Sequence, residues 1–418
     1  MVRLYTAKSR TLKVSILLLA ACVLLPFTSC QHRSAKIFDP AQVAFTAEYN
    51  QLFDGQIYPS LILGMNQTES RSSDFSILNI QVTSPADNAV LRVVIDSSAL
   101  NYVTIFQEIM PHRGETYTFQ PSVKWKYHIL RQLRQPGAVD LTFTCFINDE
   151  EVDIKNLHLA YRSVNECPLS LVYNGHTEDF RWLFAAYVNE DHPQVTQILT
   201  EILEQGNVSR LSGYQNGTAA VRDQVFAVWY YALSRGITYS SISCTSNPSS
   251  RANVQHIRFF DEVWGTRQAN CVDACVFFAS ILRKLGLKPV IFVEPCHAYL
   301  GYYIDKNRKK LALLETTITS WVNFPDLERS LDSNGRLPED RFNKVRKYLS
   351  DADAQRYLDG NMTFEQLKLA IAHTLFEKAT TYDQETYDAN RANFSNPDVI
   401  TFQQLDIEQL RKQVQPIN

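Results

Sequence analysis

Three short stretches decide how this chain is read: R-Q-A-N-C-V-D-A at residues 267–274, P-C-H-A-Y-L-G-Y-Y at 295–303, and L-L-E-T-T at 313–317. Asn270 stands just before a helical pattern in which Cys275, Val276, Ala279 and Leu282 fill one face, and Gly286 closes it. Asp273, three residues after Asn270, makes this an N-cap with an acidic third position, akin to a capping box. Cys271 then falls in the first helical turn, where unpaired backbone N–H groups and the helix dipole favour a thiolate. Cys275 reads as a buried core thiol, the ordinary fate of a free cysteine.

His297 follows Glu294-Pro295-Cys296 at a predicted turn and opens a strand, and Glu315 ends the next apolar run. Taken singly, a histidine or an acidic residue at a strand end is most often solvated or structural. Together, Cys271, His297 and Glu315 supply a thiol nucleophile, its general base and the carboxylate that orients that base. The backbone N–H of Cys271 would form part of an oxyanion hole, and Gln268 is the nearest side-chain donor to complete it. A rival chemistry uses Cys271, Cys275, Cys296 and His297 as a Cys3His zinc set. Against it, a C-x-x-x-C pair on one helix is not the usual C-x-x-C turn.

Working outward, residues from about 75 to 165 read as strands. Leu141, Phe143, Cys145 and Ile147 alternate with Thr142, Thr144, Phe146 and Asn148, and a polar turn at 148–151 precedes a further run at 152–159. Similar runs occur at 77–82, 89–95, 102–110, 117–120 and 124–133. Short strands at this spacing predict an immunoglobulin-like β-sandwich. After Cys167-Pro168 the period becomes 3.6, with one helix marked by Val195, Ile198, Ile202 and Leu203 and another by Val221, Val225, Trp229 and Leu233. Strands are expected at 289–293, 298–304 and 311–316, then mainly helix from Trp321, clearest at 364–377. The expected fold class is α+β: a β-sandwich over 31–170, then a second domain over 171–418 with extra C-terminal helices.

The first thirty residues are not expected to belong to the fold. Arg3, Lys8, Arg10 and Lys13 precede an apolar run over 14–27, too short to span a membrane comfortably. Small residues then lead to Cys30, and the chain turns polar at Gln31-His32-Arg33. This resembles a bacterial lipoprotein signal, with Cys30 as the lipid-attachment site. Leu19-Ala20-Ala21-Cys22 fits the motif's wording better but would leave an apolar stub, and an ordinary secretory signal or an uncleaved anchor is the plainer alternative. The expected location is the bacterial envelope, lipid-anchored in the outer membrane and facing the periplasm. Six cysteines follow, in a compartment that permits disulfides, and Cys145 with Cys167 is one possible pair. A formal net charge of −3 gives no electrostatic reason to expect nucleic acid as a partner.

The segment from Gln255-His256-Ile257-Arg258 through Glu315-Thr316-Thr317 resembles the transglutaminase-like superfamily of papain-type thiol enzymes. It is most similar to an exported bacterial branch with N-C-[IV]-D and H-A-[FY]-x-G-Y-Y motifs. Cys271 and Arg283 match the superfamily's nucleophile helix, and Leu405-Asp406 with Arg411 echoes a further [IL]-D-x-x-x-x-R pattern. The resemblance implies that Cys271, His297 and Glu315 form a catalytic triad, the last being aspartate in better-known members. It implies a thioacyl-enzyme on a protein, peptide or peptidoglycan substrate, with no cofactor or metal required. Glycine usually precedes the histidine in this branch, and here Cys296 stands there, placed to crowd the site or to bond Cys271. That departure supports the competing expectation of an inactive fold that holds a peptide or glycan in the old cleft.

Overall fold

Leu141, Phe143, Cys145 and Ile147 are fully buried and the residues between them partly exposed, so the period of two is realised as strand Gly137–Ile147. Asn148 and Asp149 both take positive φ, 49° and 65°, a two-residue turn that these residue types tolerate. Strand Glu150–Tyr161 resumes at once, two residues sooner than the sequence suggests. With Gln56–Ile57, Ala89–Ile95 and Thr104–Met110 these form a five-stranded sheet. A three-stranded sheet joins Phe45–Tyr49, Leu78–Thr83 and Thr116–Phe119.

This computed structural model describes residues 38–65, 77–241, 245–246, 251–396 and 398–417. The leader, with Cys22 and the expected lipid-attachment residue Cys30, lies outside them, as does Cys244. Among the described residues no helix is long and apolar enough to cross a membrane. The chain is mixed α+β with several sheets. One expected strand is absent: residues 124–133 hold a helical turn, Tyr127–Leu130, and Trp125 makes only an isolated bridge to Asn101. Trp125 and Leu130 are both buried. Five residues apart, they would lie on opposite faces of a strand, and the turn brings both inside.

Residue 170 lies within strand Glu166–Tyr173, which pairs with His176–Asp179 on one side and Ala252–His256 on the other. Residues 40–418 hold together as one compact unit. Helix Pro193–Glu204 precedes helix Gly217–Arg235, which ends at Gly236. Helix Cys271–Lys284 runs through the interior, and every residue from Val272 to Leu282 is buried. A helix apolar almost all round must be covered on all sides. Phe277 stacks on Phe260 with ring centroids 4.6 Å apart and meets Phe278 edge-on at 5.9 Å. Each aromatic side chain buried this way contributes about 1.5–3 kcal/mol.

Against this helix lies an antiparallel sheet in the order Leu311–Leu314, His297–Tyr303, Pro289–Glu294, Gln403–Asp406. Gly301 explains the small residue in the middle of the second strand: a Cβ there would come within 2.6 Å of Phe292 Cε2. The edge strand Gln403–Asp406 comes from near the C-terminus, a pairing that local sequence does not announce. The C-terminal segment continues back over the first half, where Gln415 N–H donates to Gly64 O at 2.8 Å and Ile417 N–H to Ala186 O at 2.9 Å.

Candidate functional site

Asn270 caps helix Cys271–Lys284 as its sequence predicts. Its Oδ1 accepts the Asp273 N–H at 2.8 Å, and Asp273 Oδ2 accepts the Asn270 N–H at 2.9 Å. Asp273 is fully buried and also takes the Arg258 N–H at 2.8 Å and the Arg258 guanidinium at 2.7 Å. Burial pushes its carboxyl above the usual range, although the Asn270 and Arg258 hydrogen bonds favour the charged form. The cap thus ties the helix start to the chain leaving strand Ala252–His256. Cys271 is the first residue of the helix, half-buried and free.

Strand Pro289–Glu294 turns through Pro295 and Cys296 into strand His297–Tyr303, with Glu294 opposite His297. The turn aims the imidazole at the helix start. His297 Nε2 lies 2.6 Å from Glu315 Oε2. With that nitrogen engaged, Nδ1 is the ring nitrogen left for Cys271, whose side chain lines the same cleft. Burial alone would push the imidazole down; the hydrogen bonds to Cys271 and Glu315, and their charges, outweigh it and hold His297 up at about 10.

Glu315 has no exposed surface. It leaves strand Leu311–Leu314 and caps the short helix Thr316–Trp321, its Oε1 accepting the Thr317 N–H at 2.7 Å. Its own N–H donates to Ala379 O of helix Phe364–Thr381 at 2.8 Å. Burial works against its charge, but the His297 hydrogen bond and charge prevail, followed by Thr317 and Asp383, and the carboxyl lies below its usual range. The three sequence-predicted residues therefore meet in a line: His297 bonds Glu315 directly and shares the cleft wall with Cys271. Such a line can accept the thiol proton and hold the resulting imidazolium in one orientation.

Cys271 and His297 open on a cleft of about 280 Å³ whose walls include Asn253, Gln255, Arg181 and Cys296. Gln268 is not among them; it faces a separate cleft with Gly236, Thr238 and Asn323. The side-chain amides that share the cleft with Cys271 are Asn253 and Gln255, both on strand Ala252–His256. Nothing local in the sequence marks Gln255, because it arrives from another sheet.

Cys145, Cys167, Cys271, Cys275 and Cys296 are all free thiols, so neither the Cys145–Cys167 pair nor a Cys271–Cys296 bond is formed. Cys275 is buried 3.9 Å from Thr316 Oγ1, and burial pushes its thiol well up. Cys271, Cys275, Cys296 and His297 do not converge as a ligand set. Among the described residues the potential ligands drawn together are His297, Glu315 and Asp383, all within 4.8 Å. Two of them, His297 Nε2 and Glu315 Oε2, already bond each other at 2.6 Å.

The remaining motif residues have a structural task. Arg283, near the end of the site helix, donates to Glu190 Oε1 at 2.9 Å, and Arg411 donates to Glu190 Oε2 at 2.7 Å. Asp406 pairs with Arg308 at 2.9 Å and caps helix Ile407–Leu410. These contacts fasten the C-terminal segment to the helix that carries Cys271. No family model matches the chain, and no curated protein matches it either.

Proposed function

We propose that this chain is an exported, lipid-anchored thiol enzyme of transglutaminase-like type, with an immunoglobulin-like β-sandwich ahead of the thiol domain. The observation that carries the reading is the His297–Glu315 pair at 2.6 Å, with Cys271 beside His297 on the wall of one cleft. Cys271 passes its proton to His297 and its sulfur attacks an amide or ester carbonyl, giving a tetrahedral oxyanion. The Cys271 N–H at the helix start is one donor to that oxygen. The cleft-wall amides of Asn253 and Gln255, the latter also donating to His256 O at 2.9 Å, are the side-chain candidates for a second. Collapse breaks the bond to the leaving group, which takes the proton from His297, and leaves a thioacyl-enzyme. Water, deprotonated by His297, then releases the acid, or an amine takes the acyl group and forms a crosslink.

The cleft's size favours a polymer over a small molecule. About 280 Å³ accommodates one side chain and a scissile bond. Amide-bearing Asn253 and Gln255 along its wall suit a protein, peptide or peptidoglycan strand. The second reading, a catalytically silent scaffold, draws on Cys296, whose thiol shares the cleft.

Intact-mass analysis after exposure to peptide amides and activated esters tests the reading. The expected result is an acyl adduct on Cys271, released by hydroxylamine and absent in Cys271→Ser. Isolation of the folded protein with Cys271 bonded to Cys296, and no adduct after reduction, would favour the scaffold.

A further inference from the structure

Asp383 stands at the cap position of helix Gln384–Phe394, where an aspartate ordinarily accepts an N–H from the first turn. It makes no such bond. The side chain is turned inward instead, 5% exposed, and its carboxyl lies within 4.8 Å of the Glu315 carboxylate and the His297 imidazole. Asp383 Oδ2 is buried and receives no hydrogen bond among the described residues. Tyr299, which also faces it, has its own hydroxyl unpartnered. Two carboxyl groups buried this close together disfavour a second charge, and they can bond each other only if one carries a proton. Glu315 is the one held ionised, since it already accepts from Thr317 and pairs with His297. The proton therefore belongs on Asp383.

We propose that Asp383 is a positioning residue of this site, a protonated carboxyl that donates to Glu315 and so holds that carboxylate against His297. The inference rests on the thiol–imidazole reading above and adds a fourth member to it. Glu315 then has three fixed partners, on His297, Thr317 and Asp383, and little freedom to rotate away from the imidazole. The surroundings favour the neutral form. Burial and the Glu315 charge push Asp383 up to about 8, Glu294 adds to this, and His297 is the one facing cation that opposes it. Tyr299 and, on the site helix, Cys275 are further titratable groups that feel its charge. Above that pH a second negative charge appears beside Glu315, and the donated hydrogen bond is lost.

The test is iodoacetamide alkylation of Cys271 from about pH 6 to about pH 10, in the full chain, comparing wild type, Asp383→Asn and Asp383→Ala. Asparagine keeps an N–H donor but cannot ionise. The expected result is an inflection near pH 8 in wild type that vanishes in Asp383→Asn. At neutral pH Asp383→Asn keeps the wild-type rate within about twofold, while Asp383→Ala slows by at least about fivefold. An inflection retained in Asp383→Asn, or equal rates in the two variants, overturns the proposal. Should Asp383→Ala fail to fold, the isosteric Asp383→Asn profile decides alone. The carboxyl carbon signal of Asp383 by NMR separates this inference from the reading it rests on. Titration near pH 8 supports the shared proton even if His297→Ala leaves Cys271 unaffected, and titration in the ordinary aspartate range excludes it.

Discussion

Glu315 Oε2 meets His297 Nε2 at 2.6 Å, with the carboxylate fully buried and the imidazole about a quarter exposed, its side chain at 28%. The pair faces inward at its carboxylate end and toward the cleft at its imidazole end. That asymmetry fits a group that must exchange protons at one end and stay fixed at the other.

Replacing Glu315 by Gln keeps the side chain's shape and removes its charge. His297, held up at about 10 by Cys271 and Glu315 against its burial, should titrate lower, read by imidazole NMR. Activity, once a substrate is in hand, should fall by roughly 10²–10⁴-fold. A raised histidine stabilises the fold most below its unfolded value near 6.5, and that contribution is lost as pH rises through about 10. The stability gap between wild type and Glu315→Gln should therefore shrink over that window, measured by denaturant melts.

Arg411→Ala separates structure from chemistry. It leaves the half-buried Glu190 carboxylate with Arg283 as its remaining partner and frees the carbonyls of Ala185 and Val188. Losing these charge-assisted hydrogen bonds in a half-buried network should cost about 1.5–3 kcal/mol in unfolding free energy. The alkylation rate of Cys271 in the folded fraction should stay at the wild-type value, because the Cys271–His297 pair is untouched.

Cys296 has φ of 63° directly after Pro295, the pattern of a type II turn whose second corner favours glycine. Cys296→Gly should relieve a left-handed conformation and stabilise the protein by up to about 1 kcal/mol in chemical denaturation. It should also leave the Cys271 alkylation rate unchanged, since Cys296 is an exposed, free thiol rather than its partner. A large change in that rate would assign Cys296 a part in the chemistry.

What the sequence made legible follows from range. The cap at Asn270 and Asp273, the first-turn position of Cys271 and the strand ends at His297 and Glu315 are local features, written within a few residues. The alternating run at 141–147 is local too. The helical turn at Tyr127–Leu130 was hidden because Trp125, Tyr127 and Ile129 alternate as a strand would, and the burial of Leu130 breaks the pattern only in three dimensions. Gln255 and Gln268 were indistinguishable by composition. The pairing of strand Ala252–His256 with Glu166–Tyr173 brings one toward Cys271, and the pairing of Gln268 with Thr238 turns the other to a different cleft. Asp383 reads in sequence as an ordinary helix cap, and its inward turn depends on a carboxylate sixty-eight residues earlier, the difference between positions 383 and 315.

The central claim is that Cys271 and His297 work as one unit. The most direct measurement is the rate of iodoacetamide alkylation at Cys271 as a function of pH, by peptide mapping, in wild type and His297→Ala. The account predicts rapid reaction at neutral pH, slowed at least about tenfold when the imidazole is removed. A Cys271 that behaves as an ordinary thiol, with the same profile in both proteins, would contradict it.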